Sequence, residues 1–324
     1  AMIEFNDDNL IPDGPQPQFV LRPTIGTDGR VPFAAQPWLS EPDFLHIDAL
    51  TPKDGFASEE ELNALLEKYM PPGRKPKFPK PIEPWHQAQE IAYRGWEKNS
   101  ASKRTKAAQK AIKISPDGVD PYLLLAHDAP SWEDALDHEL KALAAAERLL
   151  GSDPFTEYED LFWGATITRP YMRTRFAIGY NLLKQNKIEE SINHFQDLLK
   201  LNPGDNQGAR YILAAILLEQ DERGATQRLI AKYSEDPLCH WPYVRVLLNF
   251  RRKGDTPACR DFLRQAIQSN PFVPYYLKGT ITAESWEIEY VKIGDHTEAL
   301  DHFQIFNKAW RTTEYAIEWI GLQI

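Results

Sequence analysis

The sequence predicts an all-α protein in which helical hairpins repeat along the chain behind a proline-rich N-terminal arm. Three observations favour this fold class. Fourteen of the 25 prolines lie in residues 1–84, the chain beyond carries apolar residues at helical spacing, and three later prolines recur at a fixed interval. Hydrophobic residues make up 42% of the 324 residues, which is enough for a sizeable core.

The arm, residues 1–84, is expected to be irregular and to pack against the rest of the protein. Proline lacks a backbone donor and resists helix formation, and segment 11–42 is rich in it. The same segment carries Phe19, Phe33 and Trp38, which a disordered linker seldom does. A freely disordered arm is the alternative. The three aromatic residues also suggest that the arm lies in a binding groove as an internal ligand.

One helix is predicted inside the arm, from Ser58 to Tyr69. Ser58 is followed by three glutamates in a pattern that resembles a capping box, and leucines then recur at helical spacing. The stretch 71–84 that ends it is a basic, polyproline-like linker.

A basic segment runs from this linker into the next helices. Residues 71–113 carry eleven Lys or Arg and three Glu. One interpretation is a patch, centred on 74–113, that docks an anionic partner. The other is a solvated face that pairs with the acidic segment 133–160.

Beyond residue 84 the chain is predicted to form one helical repeat domain, residues 85–324. Pro203, Pro237 and Pro271 are spaced 34 residues apart, which is the period of the tetratricopeptide repeat, a helix–turn–helix unit. A proline at this position ends the second helix of the unit, because proline cannot continue a helix. The sequence therefore predicts a tetratricopeptide-repeat-like, right-handed α-solenoid of five to six helical pairs.

Small and large residues recur in phase with these prolines. In the repeats 172–205, 206–239 and 240–273, a small residue lets the two helices approach, and a large residue four positions later fills the groove between units. These pairs are Ser191 and Phe195, Ala225 and Leu229, and Cys259 and Leu263. Segments 85–118 and 280–313 fit more loosely. Extra length before Pro203 predicts a long helix from Ser131 to Leu150.

Several motifs are more specific than the repeat itself. They are Thr168-Arg169-Pro170-Tyr171, the segment from Leu201 to Asn206, the run from Ser269 to Leu277 that reads SNPFVPYYL, and the stretch from Ala309 to Glu318. Through them, residues 85–321 resemble the suppressor of tumorigenicity 7 family. The resemblance implies the repeat fold and a role in interactions, and it implies no activity.

The repeat register predicts a peptide-binding inner face, on the first helix of each unit. Arginine can fork onto a carboxylate, and aromatic rings bind apolar side chains at low entropic cost. This pattern favours an extended, acidic peptide or protein as the partner. The alternative is that the arginines pair with neighbouring acids inside the protein. The candidate peptide-binding residues are Arg173, Phe176, Tyr180, Lys184, Gln207, Arg210, Trp241, Arg251 and Arg252.

Motifs for catalysis or metal binding are weak. Cys239, His240 and Cys259 offer three metal ligands without a clear fourth, and Cys259 falls at a small core position of the repeat, so no metal or cofactor is predicted. The neighbouring pairs at 127–128, 138–139 and 301–302 are expected to be surface pairs or core histidines. An enzyme is not predicted; the alternative is an acidic and histidine site within 127–160, using His127, Glu159 and Asp160.

Composition narrows the partners further. The net charge of -10 disfavours general nucleic-acid binding. Two cysteines exclude a disulfide-framed fold, and no segment has the roughly 20 apolar residues of a membrane span, so we expect a cytoplasmic location. The apolar stretch from Thr313 to Ile324 suits oligomerisation. The sequence as a whole predicts a non-catalytic adaptor or scaffold.

Overall fold

A computed structural model describes the chain at residues 3–4, 20–21, 24–25, 29–37, 40–52, 56–81, 83–152, 155, 158, 162–281 and 290–323. These residues are mostly helical, which confirms the predicted all-α class. The helices are α1 (Glu41–Leu50), α2 (Glu59–Tyr69), α3 (Pro84–Trp96), α4 (Ala101–Ile114), α5 (Asp120–His127), α6 (Trp132–Leu150), α7 (Arg169–Lys184), α8 (Ile188–Leu201), α9 (Ala209–Glu219), α10 (Arg223–Lys232), α11 (His240–Lys253), α12 (Pro257–Ser269), α13 (Val273–Lys278), α14 (His296–Arg311) and α15 (Ala316–Gly321). Short 3-10 helices span Phe33–Ala35 and Thr166–Thr168.

The chain divides into two compact units. The first unit comprises Ala35–Lys187 and Lys200–Pro203, and the second comprises Ala1–Ala34, Ile188–Leu199 and Gly204–Ile324. The predicted boundary at residue 84 falls inside the first unit, because the later part of the arm belongs with helices α3 to α7. The earlier part belongs with the second unit. The arm is therefore divided between two packed bodies.

In the first unit, helices that follow one another in sequence pack together. α3 packs on α4 and α5, α5 packs on α6, and α6 packs on α7. The cluster of Ala92, Ala108 and Leu124 is fully buried between the first three of these helices. Gly95 permits the close approach, since a Cβ there would lie 2.6 Å from Leu124 Cδ1. Small residues at the contacts thus set the spacing of the helices.

Two predicted helix starts are confirmed by their capping bonds. The Ser58 hydroxyl accepts the backbone N–H of Glu61 at 3.3 Å, and the Ser131 hydroxyl accepts that of Asp134 at 3.0 Å. Each bond satisfies a donor that the first turn of a helix leaves unpaired. The long helix predicted from residue 131 to Leu150 is α6.

In the second unit, helix pairs occupy the predicted 34-residue intervals. α9 packs on α10 within interval 206–239, and α11 packs on α12 within 240–273. Pro203, Pro237 and Pro271 each lie in the connection that follows a helix, as predicted. α14 packs on α9, α13 and α15, so it joins the pairs to the C-terminal end of the unit.

A small antiparallel sheet adds part of the arm to the second unit. Its strands are β1 (Ile3–Glu4), β2 (Val20–Leu21) and β3 (Val291–Lys292), with β2 in the middle. Val20 pairs with Lys292 and Leu21 with Val291. The sequence did not predict these strands, because two-residue strands show no alternating pattern.

The apolar C-terminal segment packs within the second unit. Ala316, Trp319 and Ile320 are buried, while Tyr315 and Leu322 are exposed. Ile324 lies outside the described residues. Oligomerisation through this segment stays a prediction. Within the part of the chain that the structure describes, no helix combines the length and apolar character needed to cross a bilayer.

Candidate functional site

The first candidate peptide-binding residue, Arg173 on α7, lies in a buried ionic network. Its guanidinium pairs with Glu41 on α1 and binds Asp120 on α5, with Nη2 2.6 Å and Nε 3.3 Å from the two carboxylate oxygens. Tyr93 donates its hydroxyl to Glu41 Oε1 at 2.7 Å, and Gln89 donates to Asp120. Arg173, Glu41 and Asp120 are fully buried.

This network fixes the charge of Arg173. Burial opposes the charged form, but Asp120 and Glu41 outweigh it and hold the pKa of Arg173 well above its usual range. A buried guanidinium is stable when carboxylates on two sides accept hydrogen bonds from its N–H groups, as they do here. The sequence predicted an accessible cation at this position. The structure instead shows the alternative, in which the arginine pairs with acids of its own chain.

The other three candidates on α7 differ in exposure. Phe176 is fully buried, and Tyr180 is buried with its ring edge-on to Trp132 at 6.1 Å. Lys184 is exposed, with its ammonium 4.8 Å from the centre of the Tyr180 ring. On α7, the predicted accessible face is therefore exposed only at the C-terminal end of the helix, at Lys184.

Arg210 at the start of α9 repeats this arrangement in the second unit. It binds Asp205 at 2.8 Å and Asp236 at 2.7 Å, and its guanidinium lies 4.3 Å from the centre of the Tyr211 ring. The Tyr211 hydroxyl donates to Asp236 at 2.6 Å. Burial opposes the charged form, but Asp205, Tyr211 and Asp236 raise the pKa of Arg210. This candidate is also paired internally.

Gln207 is engaged by the N-terminal arm. Its amide donates to the carbonyl of Ala34 at 2.8 Å. Nearby, the backbone N–H of Thr24 donates to Asp301 Oδ1 at 3.3 Å. Gly208 allows this approach, since its φ of +73° favours glycine and a Cβ there would lie 2.8 Å from Thr24 Oγ1. The arm thus lies directly on a residue predicted to bind a peptide.

The remaining candidates lie on α11. Trp241 is buried and donates its indole N–H to the carbonyl of Tyr233 at 2.8 Å. Arg251 is half-buried and donates to the carbonyls of Leu218 and Ala309, which lie at the ends of two other helices. Arg252 is exposed. Of the nine candidates, Lys184 and Arg252 are the exposed ones, because most of the inward positions face packed helices and the arm.

The structure brings together a cysteine and two histidines that the sequence did not connect. Cys239 and His240 precede and begin α11, and His302 lies on α14. The Cys239 sulfur and one ring nitrogen of each histidine lie within 4.8 Å of one another, and all three residues are buried. Cys259 is not part of this group; its sulfur lies 3.8 Å from the carbonyl of Val246. A contact between residues 62 positions apart leaves no sequence signal.

Carboxylates surround this Cys239–His240–His302 cluster. His240 Nε2 lies 3.1 Å from Asp301 Oδ2, and Glu298 Oε1 accepts the backbone N–H of Cys239 at 2.9 Å. Burial, Glu298 and Asp301 raise the pKa of the Cys239 thiol, while burial and His240 lower the pKa of His302. Of the two alternatives predicted at 301–302, the structure shows the core histidine, because both residues are buried.

The alternative acid–base site is incompletely described. His127 is buried with its ring edge-on to Trp96 at 5.2 Å, as expected for a core histidine. Glu159 and Asp160 lie outside the described residues. Glu139 is fully buried on α6, and burial raises its pKa to about 8, although the nearby Asn181 favours the charged form. No pattern in the sequence indicated this burial.

The basic segment 74–113 presents most of its cations to solvent. The ion pairs described for it join Arg94 to Glu90 and Arg104 to Asp128. Neither acid belongs to the acidic segment 133–160 that the sequence offered as a partner. Docking of an anionic partner here stays a prediction.

Comparisons with family models and with curated proteins test the family of this chain. No family model matches it, and no curated protein matches it. The resemblance to the suppressor of tumorigenicity 7 family stays a prediction from the sequence motifs.

Proposed function

We propose that the protein is a non-catalytic, tetratricopeptide-like scaffold whose helices bind extended polypeptide, and that its own N-terminal arm occupies those binding positions. The observation that carries the proposal is the contact between Glu41 and Arg173. The sequence singled out Arg173 for an acidic peptide ligand, and the arm supplies an acidic residue there. A partner protein with a similar acidic segment would replace the arm.

The carboxylate of Glu41 sits in a pocket where it accepts hydrogen bonds from donors of two helices, and a third helix holds one of those donors in place. Arg173 and Tyr93 both donate to its Oε1, and Asp120 holds the far side of the guanidinium. Hydrogen bonds to charged groups contribute about 1.5–3 kcal/mol each. Two such hydrogen bonds to one buried carboxylate therefore explain why the pocket prefers an acidic residue to a neutral one.

In the second unit the arm is held by its backbone. Gln207 binds the carbonyl of Ala34, and Asp301 binds the N–H of Thr24. Backbone contacts of this kind recognise an extended chain with little regard to its side chains. Val31 and Ala35 of the arm are buried, whereas Phe19 and Trp38 lie outside the described residues. The arm thus offers backbone polar groups and small apolar side chains.

A tethered arm competes strongly with a partner. Short flexible linkers give effective concentrations of roughly millimolar, so a partner in trans must bind tightly or meet a chain whose arm has been released. Repeat domains of this kind commonly present their helices as a binding surface. Regulated exposure of these positions is the adaptor activity that we propose.

Cutting the tether tests the proposal. Residues 72–76 are all exposed and can be replaced by a specific protease site. After cleavage, a labelled peptide covering residues 29–52 should exchange into the protein and raise its fluorescence anisotropy. A peptide with Glu41→Gln should bind about 10–100-fold more weakly, since it loses one charged hydrogen bond in the buried pocket.

A second peptide serves as the matched control. Asp48 lies on the same helix as Glu41 but is exposed, so Asp48→Asn should leave exchange unchanged. Equal binding of the Glu41→Gln and unmodified peptides would contradict the carboxylate pocket. Absence of any exchange would contradict the arm as a ligand.

A further inference from the structure

We propose that Cys239, His240 and His302 form a zinc site that fastens the start of α11 to α14. None of the three ligands is among the residues that bind the arm in the proposed function, although Asp301 beside the site also accepts the N–H of Thr24. It consists of one thiol and two imidazoles, which are the side chains that zinc prefers in proteins. The three ligand atoms lie within 4.8 Å of one another, and all three residues are buried.

The distances suit three of the four corners of a tetrahedral ion. Zinc takes thiolate sulfur at about 2.3 Å and imidazole nitrogen at about 2.0–2.1 Å, so ligand atoms of one site lie roughly 3.3–3.8 Å apart. The two imidazole Nδ1 atoms are 3.2 Å apart, close to that edge. No separation in the group exceeds 4.8 Å, so the ligand atoms would have to move together by about 1 Å at most to hold the ion.

Asp301 prepares His240 as a ligand. Its Oδ2 lies 3.1 Å from His240 Nε2 and its Oδ1 accepts the N–H of Thr24, so the carboxylate is held in place from both sides. A carboxylate that accepts Nε2–H leaves the lone pair on Nδ1, which faces His302. The same carboxylate–histidine arrangement orients zinc ligands in metalloproteins.

His302 presents its Nδ1 to the other ligands. This atom lies 3.2 Å from His240 Nδ1, and stacking on Phe306 at 4.8 Å holds the plane of the ring. We therefore infer that both imidazoles would bind the ion through Nδ1.

Charge also favours a divalent cation. Zinc displaces the proton of the Cys239 thiol, and one proton leaves for each ion bound. The positive ion offsets the thiolate and the neighbouring carboxylates of Asp301 and Glu298, so these anions are buried at less cost than without it. Magnesium and calcium prefer oxygen ligands, which excludes them at a thiol–imidazole site.

The test is the metal content of the full chain. Protein is unfolded, refolded with zinc chloride and a non-thiol reductant, dialysed and analysed for bound zinc. Cys239→Ser and His302→Gln remove one ligand each, and Cys259→Ser is the matched control because this buried cysteine lies outside the cluster. We expect one zinc per chain in wild type and Cys259→Ser, and at least a ~10-fold loss of affinity in the two ligand variants.

Cobalt binding provides a second measurement, which does not depend on whether the ligand variants fold. Wild-type chain and Cys259→Ser refolded with cobalt chloride should both show a sulfur-to-cobalt charge-transfer band. Zinc retained equally by all four proteins, zinc retained by none, or loss of the band in Cys259→Ser would each overturn the proposal.

Discussion

Replacing Glu139 by Gln should stabilise the protein increasingly as the pH rises from about 4.5 to about 8. Glu139 is fully buried on α6, and burial raises its pKa to about 8 from an ordinary value of 4.5. At pH values below 4.5 the carboxyl is protonated in both the folded and the unfolded chain. Between 4.5 and 8 only the unfolded chain ionises, so unfolding becomes more favourable as the pH rises.

The magnitude follows from the two pKa values. Each pKa unit corresponds to about 1.4 kcal/mol, so the wild-type chain loses about 3 kcal/mol by pH 7 and about 5 kcal/mol above pH 8. Glutamine has nearly the same shape and no charge. The Glu139→Gln variant should therefore match wild type near pH 4 and exceed it by these amounts at higher pH.

Urea unfolding followed by circular dichroism at several pH values measures this difference. Other titratable groups, including the half-buried His138, contribute equally to the pH dependence of both proteins, so their contributions cancel when the two unfolding free energies are subtracted. Glu147→Gln is the control, because Glu147 lies on the same helix and is exposed. Parallel stability curves for Glu139→Gln and wild type across this range would refute the reasoning, since they would mean that Glu139 ionises in the folded chain.

Three further predictions rest on other contacts. Arg173→Met should destabilise the protein by about 3–5 kcal/mol, because it leaves two buried carboxylates without their partner. Lys184→Met on the exposed end of α7 should change stability little, and chemical denaturation compares the two variants. Arg251→Ala should lower stability by about 1–3 kcal/mol because it removes the hydrogen bonds that join α11 to the ends of two other helices, while the exposed neighbour Arg252→Ala should not, and equal thermal midpoints would contradict this assignment. Asp301→Asn should weaken zinc binding about 10–100-fold, as measured by competition with a chelating dye, and unchanged affinity would remove Asp301 from the site.

Local signals in the sequence predicted the helices well. Ser58 and Ser131 begin helices with the capping bonds that their sequence patterns indicate. The prolines spaced by 34 residues lie between helices because proline cannot continue one. Such features depend on residues within one or two turns of each other, so a single sequence contains what is needed to find them.

Contacts between distant residues could not be predicted in the same way. Glu41 and Arg173 are 132 positions apart, and His240 and His302 are 62 positions apart. The repeat register predicted inward-facing positions, but it could not show that the arm and neighbouring helices would cover them. Arg173 was therefore expected at an accessible face and lies in the core. The sequence grouped Cys239 and His240 with Cys259 as possible ligands, whereas the structure places Cys239 and His240 beside His302.

Release of the arm from the cut chain tests the central proposal most directly. After cleavage within residues 72–76, the protein is diluted stepwise and its fragments are separated by size-exclusion chromatography, with helix content followed by circular dichroism. If the arm is a bound ligand, it dissociates on dilution, the larger fragment stays folded, and added arm peptide restores the complex. Loss of helical structure in step with release of the arm would contradict the account, because the arm would then be a part of the core.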